Sequence, residues 1–199
     1  AVFLPRVALP IVYRIRFHFA NGSTWERDDP YRFLPTLGDT DLYLFNEGTH
    51  RTLWRHFGAH PRRIDGVNGT SFAVWAPNAR RVSVAGEFCE WDGRLFPMRQ
   101  MGSSGVFELF IPGVGPGMLY KYEIKTQDGD LRLKADPFAF AAEGPPGTAS
   151  RVVASTHPWN DAPWMSARAT YEPTRAPMSI YEVHLGSWMR VPEEKWRPL

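Results

Sequence analysis

The sequence predicts a mainly β chain built around an immunoglobulin-like β-sandwich, and three observations carry that expectation. Five short runs between residues 72 and 133 are rich in β-branched and aromatic residues: Phe72–Trp75, Val82–Val84, Val106–Ile111, Tyr120–Ile124 and Leu131–Leu133. Turn-forming stretches separate them, among them Ala76-Pro77-Asn78, Gly86, Pro112 to Gly117 and Asp128-Gly129, the last being the strongest hairpin signal. The 17 Gly and 18 Pro among 199 residues amount to about 18% of the chain, above a usual level of about 12%. No low-complexity run explains the excess, so many turns between short strands must. Strands spaced in this way argue for one sandwich over residues 66–157.

The flanks read differently. Residues 1–37 are expected to be the remnant of a further β-domain ending in a hairpin. Tyr13, Ile15, Phe17 and Phe19 alternate with Arg14, Arg16 and His18, Asn21-Gly22 is expected to supply the positive φ angles of a tight turn, and Trp25 to Phe33 returns. Residues 38–65 form the expected short helical linker. Asp39 or Asp41 caps a turn that runs through Phe45 and ends at Gly48; Thr49 caps a second helix from His50 to Phe57, with Leu53, Trp54 and Phe57 as its apolar stripe and Gly58 as its stop. Residues 158–177 hold four prolines and are expected to be a linker packed through Trp159 and Trp164. In residues 178–199, Ile180, Glu182 and His184 alternate with Tyr181, Val183 and Leu185, the pattern of a strand with burial on both faces.

Composition excludes several functions. Net charge is +2 and the basic residues are scattered, which argues against a nucleic-acid partner. No apolar run approaches the roughly 18 residues of a membrane span, and residues 1–12 lack a signal-peptide layout. The single cysteine, Cys89, excludes an internal disulfide and fits a reducing, cytoplasmic compartment. With no nucleophile triad and no Gly-rich phosphate loop, neither a cofactor nor a catalytic residue is expected here. His50, His56 and His60 cluster in sequence, but Gly58 interrupts the helix that would align the last two. With no carboxylate or cysteine read as joining them, no metal site is expected. Glu87 with Glu90, and Asp128 with Asp130, sit in polar turns where solvated roles are expected.

The eight tryptophans are more informative. Trp75 inside a strand and Trp54 on a helix stripe are expected in the core. Trp91 differs, because it stands in the polar turn Gly86-Glu-Phe-Cys-Glu-Trp-Asp-Gly93, where periodicity supplies no reason for burial. A pyranose ring offers a C–H face that stacks on an indole, while its hydroxyls need fixed polar partners nearby. Trp91 is therefore a candidate sugar platform; the alternative is that its ring folds back over the edge of the sandwich.

Longer motifs carry a family resemblance. Leu37-Gly-Asp-Thr-Asp-Leu-Tyr-Leu-Phe-Asn-Glu-Gly-Thr-His50, Leu53-Trp-Arg-His-Phe-Gly-Ala-His-Pro61 and Asp29-Pro-Tyr-Arg-Phe33 resemble the region ahead of the glycan-binding module in bacterial glycogen branching enzymes, members of the alpha-amylase superfamily. Phe72-Ala-Val-Trp-Ala-Pro-Asn-Ala79, the turn at Trp91, Tyr120-Lys-Tyr-Glu-Ile124 and Lys134-Ala-Asp-Pro137 resemble the module itself, and Tyr181-Glu-Val-His-Leu-Gly-Ser-Trp188 resembles the first strand of the catalytic (β/α)₈ barrel.

The resemblance implies a parent transglycosylase. It cuts an α-1,4-glucan, holds the fragment covalently on an Asp, and passes it to a C6 hydroxyl with a Glu as acid and base. A barrel needs about 250 residues, whereas 22 remain from Met178, so the chain is expected to be the inactive N-terminal part of that parent. Trp91 as platform and Lys121 as hydrogen-bond donor are the binding residues that carry over, and weak binding of α-1,4-glucan or glycogen is expected. Two departures stand out. Cys89 replaces a turn-forming Asn in the family's Gly-Asp-Phe-Asn-x-Trp, and Leu131 stands roughly where related modules place a second aromatic ring. The rival expectations are a stand-alone α-glucan-binding module and the N-terminal part of a debranching or trehalose-releasing relative.

Overall fold

The computed structural model describes residues 11–198; residues 1–10 of the expected remnant domain lie outside it. The chain divides into two compact units between Ser155 and Thr156.

The first unit opens with the expected hairpin, β1 (Arg14–His18) against β2 (Thr24–Asp28), with Phe17 opposite Trp25. Its turn is looser than the Asn-Gly pair suggested. Gly22 has φ of +82° but Asn21 does not take a positive φ, and the N–H of Gly22 closes a turn on the carbonyl of Phe19. This is the longer hairpin loop, a normal turn followed by one left-handed residue. The linker begins with α1 (Asp39–Glu47), which ends as expected at a left-handed Gly48. The second expected helix does not form. His50 to Phe57 contains only a single 3₁₀ turn at Leu53–Arg55, and Trp54 is exposed.

Gly58 does not stop a helix; it starts strand β3 (Gly58–Ile64). Its φ is +97°, and a Cβ there would lie 2.8 Å from the carbonyl oxygen of Phe138, so no side chain fits. The sandwich thus begins at β3, ahead of residue 66. Pro61 and two arginines disguise this strand, and Pro61 is tolerated because β3 lies at a sheet edge.

The sandwich follows as β4 (Val67–Trp75), β5 (Ala79–Gly86), β6 (Arg99–Gln100), β7 (Val106–Pro112), β8 (Leu119–Thr126), β9 (Leu131–Lys134), β10 (Ala141–Ala142) and β11 (Ser150–Arg151). One sheet has the order β3-β4-β7-β6. The other runs β10-β11-β8-β5, with β9 continuing along the same edge of β8 as β11. All pairings are antiparallel. Phe72, Val74, Leu109 and Ile111 meet Val82, Val84, Tyr120 and Tyr122 in the main core, the inward halves of period-2 strands.

The β4–β7 sheet is buried on its other face too. Leu37, Phe57, Ala73 and Val106 form a second cluster with Leu42 and Phe45 of α1, and Phe33 packs edge-on against Phe110 at 4.6 Å. This third layer explains why every residue of Val106–Ile111 is buried, Glu108 included, and not only alternate ones. Polar bonds lock the layer. The Thr36 N–H and hydroxyl donate to Glu108 at 2.6 and 2.7 Å, and Arg99 donates to the carbonyls of Tyr31 and Phe33. Burial pushes the Glu108 carboxyl up, and Thr36 opposes that shift.

Trp75 is a correction. It ends β4 and is 54% exposed, its indole N–H donating to the carbonyl of Ser104.

The second unit has little regular structure. The expected Pro-rich linker contains a helix, α2 (Ala162–Ala169), with Pro163 in its first turn, where a missing N–H costs nothing. Trp159 and Trp164 are exposed, not packed as expected. Residues 178–184 form no strand, and Ile180 is 84% exposed. No described strand pairs with that segment, and an unpaired strand is not stable alone. No helix among the described residues is long and apolar enough to cross a membrane.

Candidate functional site

Strand β8 alternates cleanly. Tyr120 and Tyr122 point into the core, where both hydroxyls donate to Asp136 at 2.6 and 3.2 Å. Lys121, Glu123 and Lys125 therefore point outward. Directly opposed residues share a face. Glu123 opposes Leu133 and Lys125 opposes Leu131, so both exposed leucines of β9 lie on the same outer face.

The turn after β5 folds against this face. Glu87–Cys89 makes a 3₁₀ turn, and Glu90 and Trp91 then both adopt left-handed backbone, with φ of 50° and 63°. Each such non-glycine residue costs on the order of 1–2 kcal/mol. Three bonds hold the conformation. The Trp91 N–H donates to the carbonyl of Gly86, the Asp92 N–H donates to the carbonyl of Cys89, and the Cys89 sulfur accepts from the Gly86 N–H at 3.3 Å. Cys89 thus fills the place of the expected Asn from a buried position, and burial raises its thiol pKa. Asp92 accepts from the Arg94 side chain and N–H, which hold its carboxyl at about 2. Gly93 lies so close to Glu123 that a Cβ would sit 2.4 Å from that carboxyl. Glu123 is itself paired to Arg81 at 2.9 Å.

Trp91 ends up 37% exposed, neither buried under the sandwich edge nor fully free. Lys121 stands opposite Ala85, one residue before the Gly86 from which the Trp91 turn departs. Its ammonium donates to the Thr148 hydroxyl at 2.7 Å and keeps further protons for other acceptors. No hydrogen bond or cation–π contact among the described residues joins Trp91 to Lys121. Glu87 is not merely solvated, since it accepts from the Leu119 N–H at 3.0 Å.

Two features escaped the sequence. A groove of about 430 Å³ lies between hairpin and sandwich, lined in part by Trp25, Arg27, Phe88 and Phe96; neither Trp91 nor Lys121 reaches it. The second is a carboxylate beside two histidines. Asp41 lies 3.0 Å from His50 Nε2 and 3.4 Å from His56 Nε2. The expectation that no carboxylate joins these histidines fails, because α1 and the following turn fold back on each other. His60 instead contacts the carbonyl of Phe57.

Residues 56–139 match carbohydrate-binding module 48, the isoamylase N-terminal domain. That stretch starts just before β3 and contains the β5–β8–β9 face, so the likeness to this module falls on the sandwich. Several curated proteins are similar to this chain over most of its length. A 1,4-alpha-glucan branching enzyme, GlgB, of Leifsonia xyli is 54% identical over 182 residues, which are 92% of this chain and 25% of that protein. Those of Rhodococcus jostii and Rubrobacter xylanophilus are 57% and 58% identical over 88% and 91% of the chain, again 25% of each relative. The chain spans about a quarter of the length of the relatives it matches, and over that quarter it is similar to branching enzymes.

Proposed function

We propose that this chain is the non-catalytic N-terminal part of a cytoplasmic glycogen branching enzyme, whose parent transfers α-1,4-glucan segments to C6 hydroxyls in glycogen biosynthesis. We further propose that the outer β5–β8–β9 face contacts the α-glucan through Trp91 and Lys121. The observation that carries the second statement is the turn at residues 86–94. Two strained residues, a buried cysteine and an ion-paired aspartate together fix a turn that leaves the Trp91 indole 37% exposed. Strain maintained by several independent bonds points to a constraint other than stability.

Binding on this face is weak, because one ring and one ammonium bury little area. Leu131 offers apolar contact without a stacking ring. That residue also favours a second reading, in which the sandwich mainly braces the catalytic domain. Maltoheptaose titration followed by calorimetry separates the two. Under the glucan-contact reading binding is measurable, Trp91→Ala abolishes it, and Lys121→Ala weakens it about tenfold with the melting curve unchanged. Full binding after Trp91→Ala moves the site elsewhere, and no binding by the unaltered chain leaves the bracing role. The chain by itself is expected to form no α-1,6 branches on amylose; a clear gain of such linkages would overturn its assignment as non-catalytic.

A further inference from the structure

We propose that Asp41, His50 and His56 form a binding site for a divalent transition-metal ion, with Zn²⁺ the best match, which ties the start of helix α1 to the turn that leads into β3. Two imidazole nitrogens and one carboxylate oxygen converge, all within 4.8 Å of one another. The two nitrogen–oxygen separations are 3.0 and 3.4 Å. Zinc bonds of about 2.0–2.2 Å in a tetrahedron give ligand–ligand edges of about 3.3–3.6 Å, so the ligands need move little to accept the ion. Two nitrogens and an oxygen suit zinc better than magnesium or calcium, which prefer all-oxygen shells.

The carboxylate is already oriented. Asp41 Oδ2 accepts from the Gly38 N–H at 3.0 Å, which leaves Oδ1 facing the histidines. Burial alone would raise the Asp41 carboxyl, but bonds from Gly38 and His50 hold it below its ordinary range, so it is ionised at neutral pH. Burial lowers His56, whose imidazole is then neutral and has a lone pair for a cation. The His50 side chain is 4% exposed, while His56 and Asp41 are about one-quarter exposed. That arrangement gives a buried inner ligand and a solvent-facing side, from which water would complete a four-coordinate shell.

Two features limit affinity. Arg55 and Arg62 disfavour positive charge at His56. The Nδ1 atoms of both histidines are buried without hydrogen-bond partners, so neither ring has the outer acceptor that strengthens a zinc-bound imidazole. Binding therefore depends on the three ligands alone.

The test is calorimetric titration of the metal-stripped 199-residue chain with Zn²⁺ in a non-chelating buffer, with Co²⁺ as a spectroscopic probe. The expected result is one ion per chain, with visible Co²⁺ absorption of the low-symmetry, four-coordinate type. His56→Gln and Asp41→Asn should each weaken binding by at least about tenfold, and His60→Gln should leave it unchanged. Asp41→Asn keeps an acceptor for the Gly38 N–H, so it reports on the ligand even if another variant folds poorly; circular dichroism checks each fold. Absence of binding at millimolar Zn²⁺ overturns the proposal. So does unchanged binding in both His56→Gln and Asp41→Asn, or equal loss in His60→Gln.

Discussion

Two segments of this chain have similar apolar character and opposite fates. Val106–Ile111 is buried at every position, whereas Ile180, Tyr181 and Val183 are all exposed. The first has β4 and β6 as neighbours and a covering layer on each face. The second has no hydrogen-bonding neighbour among the described residues, and no described residue of its unit beyond Ser155 is buried. The tryptophans teach the same lesson. Indoles at residues 159, 164, 188 and 196 are exposed in the second unit. An apolar side chain is a capacity for burial, and partners decide whether it is used.

Cavity-forming substitutions give the largest test of that contrast. Leu109→Ala, in the main core, should destabilise the first unit by about 2–5 kcal/mol in urea unfolding, while Ile180→Ala should lie within about 0.5 kcal/mol of the unaltered chain. Equal effects would mean that the second unit has a core after all.

Alkaline titration gives a smaller effect, also confined to the sandwich. Burial and then the charge of Asp136 raise the Tyr120 and Tyr122 hydroxyls well above 10. In the unfolded chain they ionise near pH 10. Stability is thus full below about pH 10 and falls as pH rises toward the folded values, by about 1.4 kcal/mol per pH unit for each tyrosine. Tyr122→Phe should remove one such share of the slope in a chemical-denaturation series spanning about pH 9 to 11, either side of the unfolded value. An unchanged slope would mean that Tyr122 ionises freely in the fold.

The smallest expected effect is that of truncation. Removing residues 178–199 should shift the melting temperature of the sandwich by no more than about 2 °C, and limited proteolysis should cut first between Trp159 and Met178. Loss of the sandwich on truncation would make the second unit an integral part of the first.

Period-2 runs punctuated by turn residues were enough to locate β4, β5, β7, β8 and β9, because strand pattern and turn chemistry are local properties. Local signals misled where tertiary partners intervened. β3 carries Pro61, Arg62 and Arg63, and is a strand because β4 pairs with it from Gly58 to Ile64. α2 was hidden by the prolines around it, although Pro163 suits the first turn of a helix. Trp91 could be singled out from its polar turn, but its left-handed backbone, shared with Glu90, is held by bonds within the turn that spacing does not encode.

The same division runs through the chain as a whole. Sequence alone determined a β-rich chain, the turn that presents Trp91, and the likeness to branching enzymes, since these rest on residue type and spacing. Only the tertiary structure decided that Trp75 faces solvent, that 178–184 forms no strand, and that Asp41 meets His50 and His56. Each of those outcomes depends on which distant surface is available to cover a side chain or accept a backbone hydrogen bond, and spacing along the chain does not encode that directly.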